Sequence, residues 1–335
     1  MFRSLLPLGS LSRRTLVPTV LSSALLVAGV VAPQNARAND STAMIEAGGI
    51  ELVETPDISL DVEDLYISPS QIRIHYEFFN HSSESKRMLV AFPVPEISAE
   101  PEENYGIDNS DPVNFLGFTV LSNGRPVPPD LEIKLTMNGR DYTKLLVDNG
   151  VPLHRFSPDY YDQVENIPMS SRKQLADQGL IDWTPGEEWY GKNWKVKATY
   201  YWWQEFPANS RTVLDHSYSP VVGGGIVNEQ YGVLNNVDRF CIEDSFIRGF
   251  RKLLAKGGHP ETISKEVRYI LQTANNWLGP IGDFRLVLDK EKPDNLITLC
   301  INGLRKIAPT QFEFRAQNFV PDRDIDMMVV EMPNW

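Results

Sequence analysis

The sequence predicts a mainly β protein: two β-sandwich-like, immunoglobulin-like lobes joined by a helical connector, with a helix pair in the second lobe. Three observations carry that prediction. Apolar residues recur at every second position through much of the chain, the period of a half-buried strand. Asn-Gly pairs at Asn123-Gly124 and Asn138-Gly139 separate such runs, and that dipeptide supplies the positive φ that a two-residue hairpin turn requires. The chain of 335 residues is 42% hydrophobic and 10% aromatic, enough to fill a core in each lobe.

Residues 1–38 read as a cleavable export signal. Arg3, Arg13 and Arg14 precede an apolar run over 16–31, and Ala36-Arg37-Ala38 supplies the small-x-small pattern for cleavage after Ala38. The run contains Pro18 and falls short of the roughly 20 residues that a membrane-spanning helix needs. No later segment is longer and as apolar, so no membrane span is expected in the mature chain. "SRRTLV" (12–17) also fits a twin-arginine signal, which leaves the general secretory and twin-arginine routes both open. Either way the expected location is periplasmic. Net charge is −12, and past the arginines of the leader 28 bases face 44 acids. So acidic a body is repelled by phosphate backbones and anionic lipid, which makes nucleic acid a poor partner.

The first lobe is expected over 39–153. "QIRIHYEFF" sets Ile72, Ile74, Tyr76 and Phe78 on one face and Gln71, Arg73, His75 and Glu77 on the other. "MLVAFPVP" (88–95) reads as its partner strand, closed by prolines. "EPEENYGIDNSDP" (100–112) is an acidic, proline-bounded loop, and the two Asn-Gly hairpins follow it. Alternation is lost over 154–193, the expected connector, where "SSRKQLADQGL" (170–180) reads as a short polar helix ended by Gly179.

The second lobe, 194–335, opens on "NWKVKATYYWWQEF". Counting by two, Trp194, Val196, Ala198, Tyr200 and Trp202 form a core face. Tyr201 and Trp203 are left on a mixed face with Lys195, Lys197, Thr199 and Glu205. "RTVLDHSYS" (211–219) is expected to return as a hairpin partner. One register sets Tyr201 opposite His216, and a slip of one residue sets Trp202 there instead. "GGG" (223–225) reads as a turn or hinge. Two amphipathic helices are expected next. The first covers 243–258, with the stripe Phe246, Ile247, Phe250, Leu253 and Leu254. The second covers 260–277, with Ile263, Val267, Ile270, Leu271 and Ala274. Four further strands close the chain.

Cys241 and Cys300 are the two cysteines, and in an oxidising compartment an even pair reads as a disulfide. A metal reading lacks support: there is no CxxC and no HExxH, and no histidine stands at ligand spacing. No GxSxG elbow occurs, and "GGG" lacks the frame of a phosphate loop. No metal or cofactor is therefore expected. The acidic loop matches no calcium-loop spacing and reads as solvated. The ligand-binding candidates are Tyr201 and Trp203, flat rings that can stack on a sugar or fill a partner's pocket, and His216 beside them. The competing account packs both rings against neighbouring structure.

Several segments together are similar to one family. "DVEDLYIS" (61–68), "VAFPVPEI" (90–97), "EFPANSRTVLDHSYSPVVGG" (205–224), "NWLGPIGDFRLVLDK" (276–290), "CINGLRKIAPTQFEF" (300–314) and "NFVPDRDID" (318–326) resemble an exported bacterial family catalogued as domain of unknown function 4424. The likeness covers nearly the whole mature chain. It implies an exported, β-rich protein of sandwich-like domains with cysteines at these places, and it carries no activity, cofactor or catalytic residue. The expected function is a non-enzymatic binding or envelope-assembly module, its partner an envelope glycan or protein. The alternative is a cell-envelope hydrolase or glycan-binding protein with its site between the lobes.

Overall fold

The alternation in the sequence becomes two large sheets packed face to face, with a third, smaller sheet against their common core. The computed structural model describes residues 40–46, 49–99, 105–107, 111, 113–156, 159–187 and 191–332. The expected leader 1–38 with its cleavage point, and most of the acidic loop, lie outside the described residues. The seven-stranded sheet runs Arg140–Asp141, Asp130–Met137, Lys195–Phe206, Lys86–Pro93, Ser41–Glu46, Gly49–Val53, with Ile97–Ser98 also paired to Lys195–Phe206. The eight-stranded sheet runs Arg305–Lys306, Gln311–Phe319, Ile281–Asp289, Ile58–Ile67, Ile72–Asn80, Arg211–Tyr218, Thr119–Ser122, Arg125–Val127. Both Asn-Gly turns form as expected. All four of their residues have positive φ, and each joins an antiparallel pair.

The core face read from "KVKATYYWWQEF" is the observed one. Val196, Ala198, Tyr200 and Trp202 are all buried. Phe118 stacks on Tyr200 with ring centroids 4.5 Å apart, and Phe78 lies 4.5 Å from Trp277. Each such pair contributes roughly 0.5–1.5 kcal/mol beyond the area it buries.

The partners of these strands differ from those expected. Lys195–Phe206 and Arg211–Tyr218 do not form a hairpin. The first pairs with Lys86–Pro93 and Asp130–Met137, the second with Ile72–Asn80 and Thr119–Ser122. The chain crosses from one sheet to the other between them, so Trp202 meets His216 across the core, with centroids 5.2 Å apart, and not along a ladder. Lys86–Pro93 likewise joins the seven-stranded sheet and not Ile72–Asn80. The lobe boundaries at 153 and 193 divide no sheet either. Strands from both expected lobes alternate in the two large sheets, and Ile281–Asp289 lies parallel to Ile58–Ile67. Period two reports which face a side chain takes and carries no information on which strand lies alongside.

The third sheet runs Val222–Val227, Thr262–Tyr269, Ile325–Glu331, Leu296–Thr298. Its inner strand Ile325–Glu331 is buried on both faces. Met327 and Val329 enter the main core, while Met328 and Val330 face the helix Asp244–Gly257. That helix matches expectation: Phe246, Phe250 and Leu253 are buried, Asp244 and Lys256 lie at the favourable ends of its dipole, and Gly258 closes it at φ 70°. The second expected helix is a strand. Thr262–Tyr269 is flanked by a strand on each side, and two ladders outweigh the helical reading of Ile263, Val267 and Ile270. In the connector, Met169–Asp177 is the expected short helix, and Gly179 beyond it has φ 68°. No helix of the described residues is long and apolar enough to cross a membrane.

Candidate functional site

The structure brings two of the predicted site residues together and separates the third. Tyr201 and Trp203 share the outer face of the seven-stranded sheet. Tyr201 is half-buried, packed on a small apolar cluster of Ala43, Ile50, Leu89 and Ala91. The hairpin of Ser41–Glu46 and Gly49–Val53 curls over this face, where the N–H of Ile50 donates to the Glu132 carboxylate at 3.1 Å. Trp203 is 54% exposed, and the Arg87 guanidinium sits 5.0 Å from its ring, worth about 0.5–1 kcal/mol at an exposed site. Tyr201 is thus occupied by its own sheet, while Trp203 stays exposed beside Arg87.

His216 points the other way, into the core. Its side chain is fully buried, ringed by Tyr76, Phe92, Phe118 and Trp202 at 5.2–5.8 Å between centroids. Its Nε2 lies 2.8 Å from Oδ2 of Asp40, whose side chain is also fully buried. The Asp40 carbonyl accepts the Trp277 indole N–H at 2.6 Å. Burial pushes the Asp40 carboxyl above the ordinary aspartate range, and the neighbouring His216 only partly offsets this. No solvent reaches the pair, so it anchors the strand Ser41–Glu46 and is not a surface to which a ligand has access.

Cys241 and Cys300 are bonded, with Sγ–Sγ 2.02 Å. The bond joins the end of the short helix Val237–Phe240 to the chain just beyond Leu296–Thr298, and so ties that helix to the third sheet. It lies beside the feature that sequence reasoning missed.

That feature is a groove of about 1050 Å³ between the third sheet and the rim of the sandwich. Its floor is the strand Val222–Val227, whose centre is Gly223, Gly224 and Gly225. These glycines form an extended strand, not the turn or hinge expected. Sterics demand glycine at one of them only, Gly224. A Cβ on Gly224, at φ 119°, would come 2.2 Å from the carbonyl oxygen of Ser264, and the space above Gly225 is open to at least 4 Å. At Gly223 the Tyr105 ring closes to 3.4 Å of the Cβ position. Tyr105 thus lies on one end of the glycine strand, and Tyr231, 68% exposed, stands at the other wall. The signal available in the sequence was a glycine run between β-branched residues, which marks a strand approached closely by something else.

The charged groups of the groove are matched within it. Arg239 donates to Glu266 at 2.8 Å and to Asp326 at 3.2 Å, Arg268 reaches Asp326 at 3.1 Å, and Lys195 pairs with Glu96 at 3.3 Å. A hydrolase of the two-carboxylate kind needs one carboxyl poised to give a proton and another facing it across the substrate. Here both groove glutamates are held by cations. A second depression of about 510 Å³, on the outer face of the eight-stranded sheet, has the same character. Arg285 pairs with Asp64 at 2.9 Å and His75 with Asp215 at 2.7 Å. Burial alone would lower the His75 pKa, but the hydrogen bonds to Asp215 and Glu77 outweigh it and hold the pKa above the ordinary value. Among the described residues, no three His, Cys, Asp or Glu side chains come together in a way that could hold a metal ion.

Comparison with known proteins adds a family and little else. A family model described as Domain of unknown function (DUF4424) matches residues 38–328. The sequence matches no curated protein. Among solved structures, a Legionella pneumophila protein provisionally described as a nutrient binding protein is similar at 13% identity and a TM-score of 0.41, over 88% of this chain and 72% of its own. A two-domain M1 zinc metallopeptidase bound to L-tryptophan is similar at 7% identity and a TM-score of 0.23, over 83% of this chain and 44% of its own. The chain thus spans less than half the length of that peptidase. At these scores neither likeness transfers an activity or a ligand.

Proposed function

The chain belongs to the family described as Domain of unknown function (DUF4424), and from the groove beside its glycine strand we propose that it is an exported, non-enzymatic binding module. One observation carries the reading: a groove of about 1050 Å³ is floored by main chain without side chains and walled by two tyrosines, and its charges are already paired. Bare backbone offers N–H and C=O groups at close range, and tyrosine adds contact area at small entropic cost. Paired charges supply recognition at the rim and leave no free acid or base for bond cleavage. Export rests on the leader expected over residues 1–38, with the disulfide consistent with an oxidising compartment.

The test places a photo-crosslinking residue at position 231, in the groove, or at position 161, where Tyr161 is 60% exposed on the separate helix Tyr160–Glu165. Illumination in an envelope extract should give a discrete adduct from position 231 and none from position 161. Gly225→Trp fills open space in the groove and should abolish the adduct while leaving the melting temperature unchanged. Equal labelling at both positions, or none at 231, contradicts the reading.

A further inference from the structure

The strand that floors the groove is also a sheet edge, and edges are where chains invite other chains. An edge presents a row of unpaired N–H and C=O groups, which natural proteins guard with charge, proline, short length or a cover. Among the described residues, the other edges of the three large sheets are guarded in these ways. Arg305–Lys306 and Arg140–Asp141 are two residues long and wholly charged, and Arg125–Val127 is three residues with a proline in the middle. Gly49–Val53 carries Glu51 and gives its Ile50 N–H to Glu132. Leu296–Thr298 is three residues long, and its Thr298 hydroxyl donates to the carbonyl of Phe240. Val222–Val227 differs: it has six residues, no charge and no proline.

Among the described residues, its ends are engaged and no main chain pairs with the outer side of its middle. Val222 exchanges both main-chain bonds with Gly106, at 2.9 and 3.1 Å, and the N–H of Asn228 donates to Tyr231 at 2.8 Å. Because Val222 and Asn228 direct these groups away from Thr262–Tyr269, strand alternation directs those of Gly224 and Ile226 the same way. Ile226 is 57% exposed there. The edge also has a cleft on each side. The groove of about 1050 Å³ and a second of about 440 Å³ both reach Gly223, Gly224 and Gly225, the second bounded by Pro69, Ile107 and Ile263. A strand projects side chains alternately to both faces, so a strand ligand needs room on both.

We infer that the ligand of this module is an extended polypeptide segment, which adds to Val222–Val227 as a further strand of the third sheet and sends alternate side chains into the two clefts. This rests on the groove being the binding site and goes further in naming the ligand class. The uncharged edge and the paired charges of the larger groove select an uncharged stretch, and the absence of side chains at 223–225 admits bulky residues opposite them.

The test pans a random decapeptide phage library on the intact protein, with Gly225→Trp as the counter-selection. The expected result is a set of uncharged, strand-forming peptides that bind the native protein and lose at least about tenfold in affinity when a central amide is N-methylated, the loss of one or two hydrogen bonds. Bound peptide should also slow hydrogen exchange at Gly224 and Ile226. Peptides that bind equally well when N-methylated overturn strand addition. So does a position-231 adduct that is carbohydrate, and so does a homodimer joined through this edge, although the groove then remains a binding site. No adduct and no peptide together defeat both readings.

Discussion

Asp40→Ala is expected to destabilise the protein by about 1–3 kcal/mol, the usual consequence of taking one partner from a buried hydrogen bond. His216→Ala should cost a similar amount, and the double variant less than the sum, because the two side chains serve one contact. The cause is position. Asp40 and His216 are both without solvent contact, 2.8 Å apart, in a cage of four aromatic rings. Removing either leaves the other buried and short of one hydrogen bond. Asp40 also begins the buried segment Asp40, Ser41 and Thr42, which places Ser41–Glu46 beside Lys86–Pro93. Denaturant titration of the three variants checks the size and the coupling. Strict additivity would show that the contact contributes nothing specific.

Replacing both cysteines, Cys241→Ser with Cys300→Ser, is expected to cost up to about 4 kcal/mol, from the entropy of a closed loop of this length. For a domain of this size that corresponds to a fall in melting temperature on the order of 8 °C. The effect should have a local component. Asn235, Asn236 and Arg239 line the groove at or beside the helix Val237–Phe240, which the bond ties to the third sheet. Limited proteolysis should therefore cut the double variant first near this segment. Native protein under reducing agent should behave like the variant, and an unchanged melting temperature in both would show that the bond does not constrain the unfolded chain.

The parts of this architecture that were legible in the sequence are those that depend on one strand at a time. Alternation assigned the faces of Lys195–Phe206 and Ile72–Asn80, and positive-φ chemistry placed the turns at Asn123 and Asn138. Pairing was not legible, because Lys195–Phe206 carries the same pattern whichever neighbours it takes. Thr262–Tyr269 was misread for a related reason. Its apolar residues Ile263 and Val267 satisfy a helical spacing as well as an extended one, and only the two flanking strands decide between them. The candidate site was the least visible part. Tyr201 and Trp203 drew attention as aromatic, whereas the groove is defined by Gly223–Gly225, residues whose role is to be absent from the space they border.

The central claim is that the glycine edge is open, and hydrogen exchange of the free protein at the amides of Val222–Val227 tests it most directly. The account predicts an alternating record: slow exchange at Gly223, Gly225 and Val227, which face Thr262–Tyr269, and at Val222, which Gly106 covers, with fast exchange at Gly224 and Ile226. Uniformly slow exchange along the strand, equal to that of Ile325–Glu331, would mean that the edge is already covered and would contradict the account.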